Sequence, residues 1–224
     1  FKEGITRSDL ENYLADMQEG SHLVVASLER ASELVSGFKQ VAVDRTSAQQ
    51  RQFKLAEVLA ETKMTMSPLF KHTPYKINIK VSGDVMMDSY PGPLGQVITN
   101  LMNNALIHAF SGCDHGTIDI TCELTTVAGQ EGVCMVIQDD GHGIREENLK
   151  KIFDHFFTTK LGEGGNGLGM HIVHNIVTGV LGGSIEVESK LDKGTCFTIA
   201  IPLDAPVSRV GTYELEQGEA VHGE

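Results

Sequence analysis

At 224 residues, 41% of them apolar, the chain is long enough for one domain with an appendage or for two small domains, with material for a core. Its net charge of −12 and the lack of a basic cluster exclude a nucleic-acid face, although an acidic chain still accommodates a nucleotide whose phosphate charge is met by Mg²⁺ and backbone N–H groups. The four cysteines (Cys113, Cys122, Cys134, Cys196) have neither C-x-x-C nor metal-finger spacing, the strand-like flanks of Cys122, Cys134 and Cys196 point to small core residues, their use looks like a reducing cytosol, and no apolar run approaches the ~20 residues of a membrane span.

Phe1-Lys2-Glu3 is neither an initiator methionine nor a signal peptide. The sequence therefore reads as a cytoplasmic fragment of a longer protein, one that could be anchored in the inner membrane elsewhere. Ser8-Asp9-Leu10-Glu11 is a capping box that starts a helix. Behind it Leu10, Leu14, Met17, Ser21, Val24, Leu28, Ala31, Val35, Phe38 and Ala42 recur at steps of four and three. That is the period of a helix packed lengthwise on another helix. Such a helix is about 50 Å long, too long for one small domain to cover. Residues 1–45 thus read as the second half of a helical hairpin or dimer stalk. Gly4 and Thr6 look like the preceding turn, which places the first half upstream of Phe1.

Residues 46–205 are expected to form a second, globular domain, entered through a polar linker at 43–50. Residues 51–55 read as a short strand, and Leu55, Val58, Leu59, Thr62, Met66 and Leu69 mark one face of a helix. Pro74 ends it, and Ile77, Ile79 and Val81 alternate as a half-buried strand. Pro91 and Pro93 bracket the start of an apolar helix carrying Leu94, Val97, Ile98, Leu101, Met102, Ala105 and Leu106. Alternating runs at 118–122, 133–137, 185–187 and 196–201 read as strands, and a helix runs from near Gly167 to Gly182-Gly183. This order predicts an α/β fold, a two-layer sandwich of a mixed sheet with helices on one face. Residues 206–224 are polar and acidic and read as a flexible tail.

Asn100 and Asn104 stand one turn apart on the apolar helix. Burying two amides is unfavourable without partners, so they read either as a structural hydrogen-bond pair or as hard-oxygen ligands for Mg²⁺. The apolar run at 133–137 feeds Asp139-Asp140-Gly141-His142-Gly143-Ile144, which delivers a carboxylate into a turn loose enough for a ligand to lie on its backbone. The plainer reading is a tight Asp- and Gly-rich turn. Further on, Gly164-Gly165-Asn166-Gly167-Leu168-Gly169 opens a helix, whose unpaired N–H groups suit phosphate. A carboxylate at one end and a phosphate cradle at the other suggest a nucleotide. The glycine loop is neither a dinucleotide fingerprint, since no strand immediately precedes it, nor a P-loop, since no Lys-Ser or Lys-Thr follows. His171 and His174 lack a third metal ligand and read as structural or solvent-facing. His22, on the long helix, has neither an adjacent acid nor a following Pro.

In this combination and order the motifs resemble the catalytic, ATP-binding domain of sensor histidine kinases of two-component systems, within the superfamily shared with gyrase, heat-shock chaperones and mismatch-repair ATPases. The resemblance covers residues 52–203. Asn100-Leu101-Met102-Asn103-Asn104-Ala105 looks like the N box and Asp139-Asp140-Gly141-His142-Gly143-Ile144 like the G1 box. Ile152-Phe153-Asp154-His155-Phe156-Phe157-Thr158-Thr159-Lys160 looks like the F box and Gly165-Asn166-Gly167-Leu168-Gly169 like the G2 box. Residues 183–189 and 194–197 match the closing strands, and the long helix resembles the second helix of the family's dimerisation and phosphotransfer hairpin.

The resemblance implies a Bergerat ATP-binding fold, ATP and Mg²⁺ as ligands, and protein histidine kinase activity. It implies that Asp139 accepts the adenine amino hydrogen bond, that Gly141, Gly143 and Ile144 let the base approach the backbone, and that Thr195 reaches adenine through a water. Asn104 would hold Mg²⁺ with Asn100 as its companion, the two forming the catalytic pair. Gly165, Gly167, Leu168 and Gly169 would meet the phosphates, and residues 145–166 would form a lid packed by Phe156 and Phe157, with Lys160 near the phosphates. There are two departures. Ile107 stands where many of these kinases place a basic residue, with His108 as a partial substitute, and His155 replaces a frequent Pro.

No phosphoacceptor His followed by an acid and a Pro occurs in the chain. The acceptor is therefore expected upstream, so this fragment binds ATP without phosphorylating itself. In the parent, a homodimer through the helical hairpin, the γ-phosphoryl would pass to that His and then to an Asp of a response-regulator receiver domain. No nucleic-acid or membrane contact is expected of the fragment. Two other readings compete. An ATP-hydrolysing clamp would need a general-base Glu at the position of Asn100, an amide without useful basicity. An ATP-gated interaction module would use the nucleotide only to set the lid.

Overall fold

The computed structural model describes residues 49–159 and 167–206, together with parts of the stretch 10–25. The described residues of that stretch are helical and exposed, Leu10, Leu14, Met17 and Val24 of the heptad pattern among them. The remainder of the expected long helix, including His22, and the expected tail beyond residue 206 lie outside the described residues.

Strand β1 (Arg51–Lys54) runs directly into helix α1 (Leu55–Phe70), whose buried face is Leu55, Val58, Leu59, Thr62, Met66 and Phe70. Leu69, expected on that face, is 56% exposed. The inward position is instead Phe70, four residues after Met66, and its ring fills the core there. Strand β2 (Tyr75–Val81) alternates half-buried and exposed residues as expected. Strand β3 (Met86–Ser89) was not legible as a strand; it pairs antiparallel with β1 in a small separate sheet. The chain after the last strand is tied to that small sheet, with Asp88 donating to the Leu203 carbonyl at 2.9 Å and Ala205 donating to the Asp88 carbonyl at 2.9 Å.

Helix α2 (Pro91–Asn104) begins on a proline, whose missing N–H has no intrahelical partner to lose at that position, and buries Leu94, Val97, Ile98, Leu101 and Met102. It continues as a π-helical turn, Ala105–Ala109, closed by Phe110 N–H to the Ala105 carbonyl at 3.0 Å. Strands β4 (Gly116–Val127) and β5 (Gln130–Asp139) follow as a hairpin. Then come the short helix α3 (Glu146–Leu149), helix α4 (Gly169–Asn175) with a second π turn at Ile176–Val180, and strands β6 (Ser184–Ser189) and β7 (Thr195–Pro202). Two π turns in so small a domain were not foreseen. Such widened turns frequently sit at functional sites.

The main sheet has the order β2-β4-β5-β7-β6, with β2 parallel to β4 and every other pair antiparallel. One face carries Ile118, Ile120, Cys122, Val133, Met135, Ile137, Phe197, Ile199 and Ile201, all buried against the helices. This is the expected two-layer sandwich. The alternation of the strands also sorts the cysteines. Cys122 is in the core, where burial pushes its thiol up to about 12. Cys134 and Cys196 turn to the opposite sheet face and are only half-buried, because each sits one residue out of phase with the core positions.

Candidate nucleotide site

The sheet register puts the end of β5 between its neighbours: Asp139 lies opposite both Ile118 of β4 and Thr195 of β7. Asp139 is 7% exposed. Its Oδ1 accepts the Gly141 N–H at 3.0 Å and the Thr195 N–H at 3.2 Å, while among the described residues Oδ2 accepts no hydrogen bond. Burial pushes this carboxyl up from the usual range, the two N–H bonds pull against it, and the charge of Asp140 adds to the rise. One oxygen is thus anchored, and the other is left for a donor.

The turn behind this carboxylate is held from three sides. Gly143 has φ +70, and a Cβ there would run into the Lys190 carbonyl oxygen. Ser189 Oγ accepts the Ile144 N–H at 2.8 Å, donates to the Gly194 carbonyl at 2.8 Å and stands 3.0 Å from Thr195 Oγ1. The His142 N–H reaches the Ala109 carbonyl at 3.0 Å, a carbonyl presented by the π turn that ends α2. That bond joins the carboxylate loop to the asparagine helix. Gly141 serves this closeness: a Cβ on it would strike the backbone of Ala109.

At the other end, α2 presents Asn100 and Asn104 toward the opening of α4. A Cβ built on Gly169 would stand 3.9 Å from Asn104 Oδ1 and 4.0 Å from Asn100 Oδ1. The Nδ2 of Asn100 and the Nε2 of Gln96, one turn earlier, are buried with no hydrogen-bond partner among the described residues. Unsatisfied buried donors are uncommon and call for a partner. Gly167 has φ +68 and packs so closely on the backbone of Phe156 that a Cβ would overlap it. Phe156 is 54% exposed and itself takes φ +62, a strained value for an aromatic residue.

His155 stacks on His171 with ring centroids 3.4 Å apart. His171 in turn contacts the Phe153 carbonyl through Nδ1 at 3.2 Å and Asn175 through Nε2 at 2.7 Å. His174 packs its ring on Phe153 at 5.4 Å. These histidines fasten the F-box turn to α4, and no group of three metal-ligating side chains occurs among the described residues.

Between the two ends lies a cavity of about 660 Å³, within the usual size of a small-molecule site. Of the residues singled out from sequence, Asn100, Asn104, His108, Asp139, Gly143, Ile144, Gly167, Gly169 and Thr195 line it. Gly141 and Leu168 are not among the residues that line it, and Lys160 and Gly165 lie outside the described residues. Sequence reasoning did not foresee the apolar floor of Ile118, Ile137 and Phe197, because these residues look like any strand core until the register is known. It also passed over Asn103, Met170 and Leu191. Arg145 and His108 are the basic side chains on the wall among the described residues, and Asp139 is the acidic one.

A family model for histidine kinase-, DNA gyrase B-, and HSP90-like ATPases matches residues 90–205. Autoinducer 2 sensor kinase/phosphatase LuxQ of Vibrio cholerae is 31% identical over 175 residues, covering 75% of this chain and 20% of that protein. Sporulation kinase A of Bacillus subtilis is 32% identical over 187 residues, covering 80% of this chain and 28% of its own length. The chain therefore spans less than a third of either relative. Among solved structures, the catalytic domain of histidine kinase ThkA is similar with a TM-score of 0.60 and 29% identity, over 70% of this chain and 97% of that one. With described residues of all four boxes lining one cavity, the chain belongs to the family of histidine kinase-, DNA gyrase B- and HSP90-like ATPases and carries an ATP-binding catalytic domain of the histidine kinase type.

Proposed function

We propose that this domain binds Mg²⁺-ATP and, in a longer parent protein, transfers its γ-phosphoryl to a histidine on a helix upstream of Phe1. The observation that carries the reading is Asp139: a buried carboxylate at the cavity wall, anchored through Oδ1 by two backbone N–H groups and with Oδ2 unbonded among the described residues. Oδ2 suits the exocyclic amino group of adenine. Guanine has a carbonyl at that position and would meet the carboxylate with like partial charge. Thr195 Oγ1, 3.0 Å from Ser189 Oγ, would reach the base through a water.

At the far end, Asn104 supplies an amide oxygen of the hard kind that Mg²⁺ favours, and the unpaired Nδ2 of Asn100 offers a donor to the phosphates or their water. Bound there, the ion would neutralise phosphate charge. The N–H groups of Gly167, Leu168 and Gly169, with Gly165 and Lys160 on the lid, would orient the triphosphate. Catalysis of this kind is mostly positioning plus charge stabilisation. That suits Asn100, whose amide cannot activate water as a Glu would.

The relay to a response-regulator receiver domain, a homodimer through the helical hairpin and a cytoplasmic setting follow from the same reading. No helix among the described residues is long and apolar enough to cross a membrane. The fragment itself should not become phosphorylated, because the acceptor histidine belongs to the preceding helix. The decisive experiment incubates this chain, and a longer version containing the upstream helix, with γ-labelled ATP. Acid-labile, base-stable label on the longer protein alone is the expected outcome. No label on the longer protein despite ATP binding would refute the kinase reading, and label on the short chain would refute the upstream acceptor and direct attention to His22.

A further inference from the structure

The turn between β6 and β7 carries an apolar side chain that the protein itself leaves uncovered. Leu191 is 52% exposed, yet it lines the cavity together with Ile144, Asp139 and Thr195. A single exposed leucine is ordinary on a protein surface. What distinguishes this one is the rigidity of its mount. The next residue, Asp192, donates its N–H to the His142 carbonyl at 2.7 Å, and Lys193 donates to the Lys190 carbonyl at 3.0 Å. The base of the turn is closed by the Ser189 hydroxyl, bonded to Ile144 N–H and to the Gly194 carbonyl. His142 and Ile144 belong to the same loop as Asp139. The turn is therefore bonded to the segment that carries the carboxylate, and Leu191 keeps a fixed place relative to it.

We infer that Leu191 is a base-contacting residue of the nucleotide site: a preformed apolar cover that lies against the purine ring and loses its exposure when adenine enters. The inference rests on the reading of this cavity as an ATP site and adds a specificity element to it. A flat aromatic base gains by covering the leucine methyls, whereas the ribose hydroxyls and phosphates have nothing to gain there. Because Leu191 stands on the turn bonded to the segment that follows Asp139 rather than on the helices that carry Asn104 and Gly169, its contribution should be the same for adenosine, ADP and Mg²⁺-ATP.

The test is a calorimetric titration of the chain and of its Leu191→Ala and Leu191→Met variants with those three ligands. Leu191→Ala should raise all three dissociation constants by one common factor, about three- to tenfold for the loss of a partly covered leucine side chain. Its thermal midpoint without ligand should stay near the parent's, because the side chain is half exposed and outside the buried core. Leu191→Met keeps the apolar reach and should recover most of the affinity. In methyl-resolved spectra, the Leu191 signals should move upfield on addition of adenosine, as methyls over a purine face do. Unchanged adenosine affinity in Leu191→Ala, a loss confined to Mg²⁺-ATP, or still methyl signals on adenosine binding would overturn the inference while leaving the ATP site standing. An unsubstituted chain that bound none of the three ligands would overturn both.

Discussion

The two ends of the cavity are built on opposite plans. At the base end every group near Asp139 is fixed by the protein: Oδ1 takes two backbone N–H bonds, Ser189 ties Ile144 to Gly194, and His142 is bonded on both sides of its peptide. At the phosphate end the groups are gathered but not satisfied. Among the described residues, Asn100 and Gln96 keep buried donors without partners, Asn104 faces a glycine, and the segment expected to form a lid contains a strained Phe156. In the proposed reading the first end is preorganised for a neutral flat base. In the same reading the second end leaves its polar groups for the charged part of a ligand, which would bring its own counter-ion. Recognition and chemistry are thereby separable in the same cavity.

The largest expected effect breaks the base end alone. Asp139→Asn should weaken adenosine and Mg²⁺-ATP alike by about a hundredfold, or ~3 kcal/mol, since the amide can present a donor where the carboxylate accepted one. Calorimetry measures it. Thermal melting of the same variant should show no loss at neutral pH. A carboxyl raised by burial favours the folded state while protonated, and that contribution is lost as pH rises through its folded pKa, so the ionised group is a cost that Asn removes.

Gly143→Ala attacks the mount of the base end, forcing a side chain into the Lys190 carbonyl at a positive φ. It should lower stability by about 2–4 kcal/mol in denaturant titration and reduce adenosine binding with it. Asn104→Ala should leave adenosine affinity as it is and weaken Mg²⁺-ATP about tenfold. Equal losses for both ligands would erase the division between the two ends. The smallest effect is a shift in pH dependence. Because the Asp139 carboxyl is raised, adenosine affinity should begin to fall on acidification above the ordinary aspartate range of about 4, and Asp139→Asn should abolish that dependence.

Much of this domain was legible in the chain because its signals are local. Ile77, Ile79 and Val81 alternate, Pro91 and Pro93 punctuate, and Asp139-Asp140-Gly141 and Gly167-Leu168-Gly169 announce turns that ordinary loops do not need. Strand β3 escaped because Met86-Met87-Asp88-Ser89 has no alternation of its own and becomes a strand only by pairing with β1. Leu69 was misplaced because periodicity alone does not separate it from Phe70 at the end of a helix. His155, unexplained as a residue, acquires a role once His171 is found stacked on it.

The sequence by itself determined the chemistry available: which carboxylate, which amides, which glycines, and in what order along the chain. Those properties reside in residue type and short-range spacing, which survive without a fold. Only the tertiary structure decided how they combine. Sheet register brought Thr195 to Asp139 across 56 positions and bonded its N–H to Oδ1. The π turn aimed the Ala109 carbonyl at His142, and strand alternation put Cys122 in the core while leaving Cys134 outside. Leu191 gained its place in the same way. In sequence it is a turn leucine between two lysines, and it becomes a wall of the site because hydrogen bonds between distant segments hold that turn at the cavity mouth.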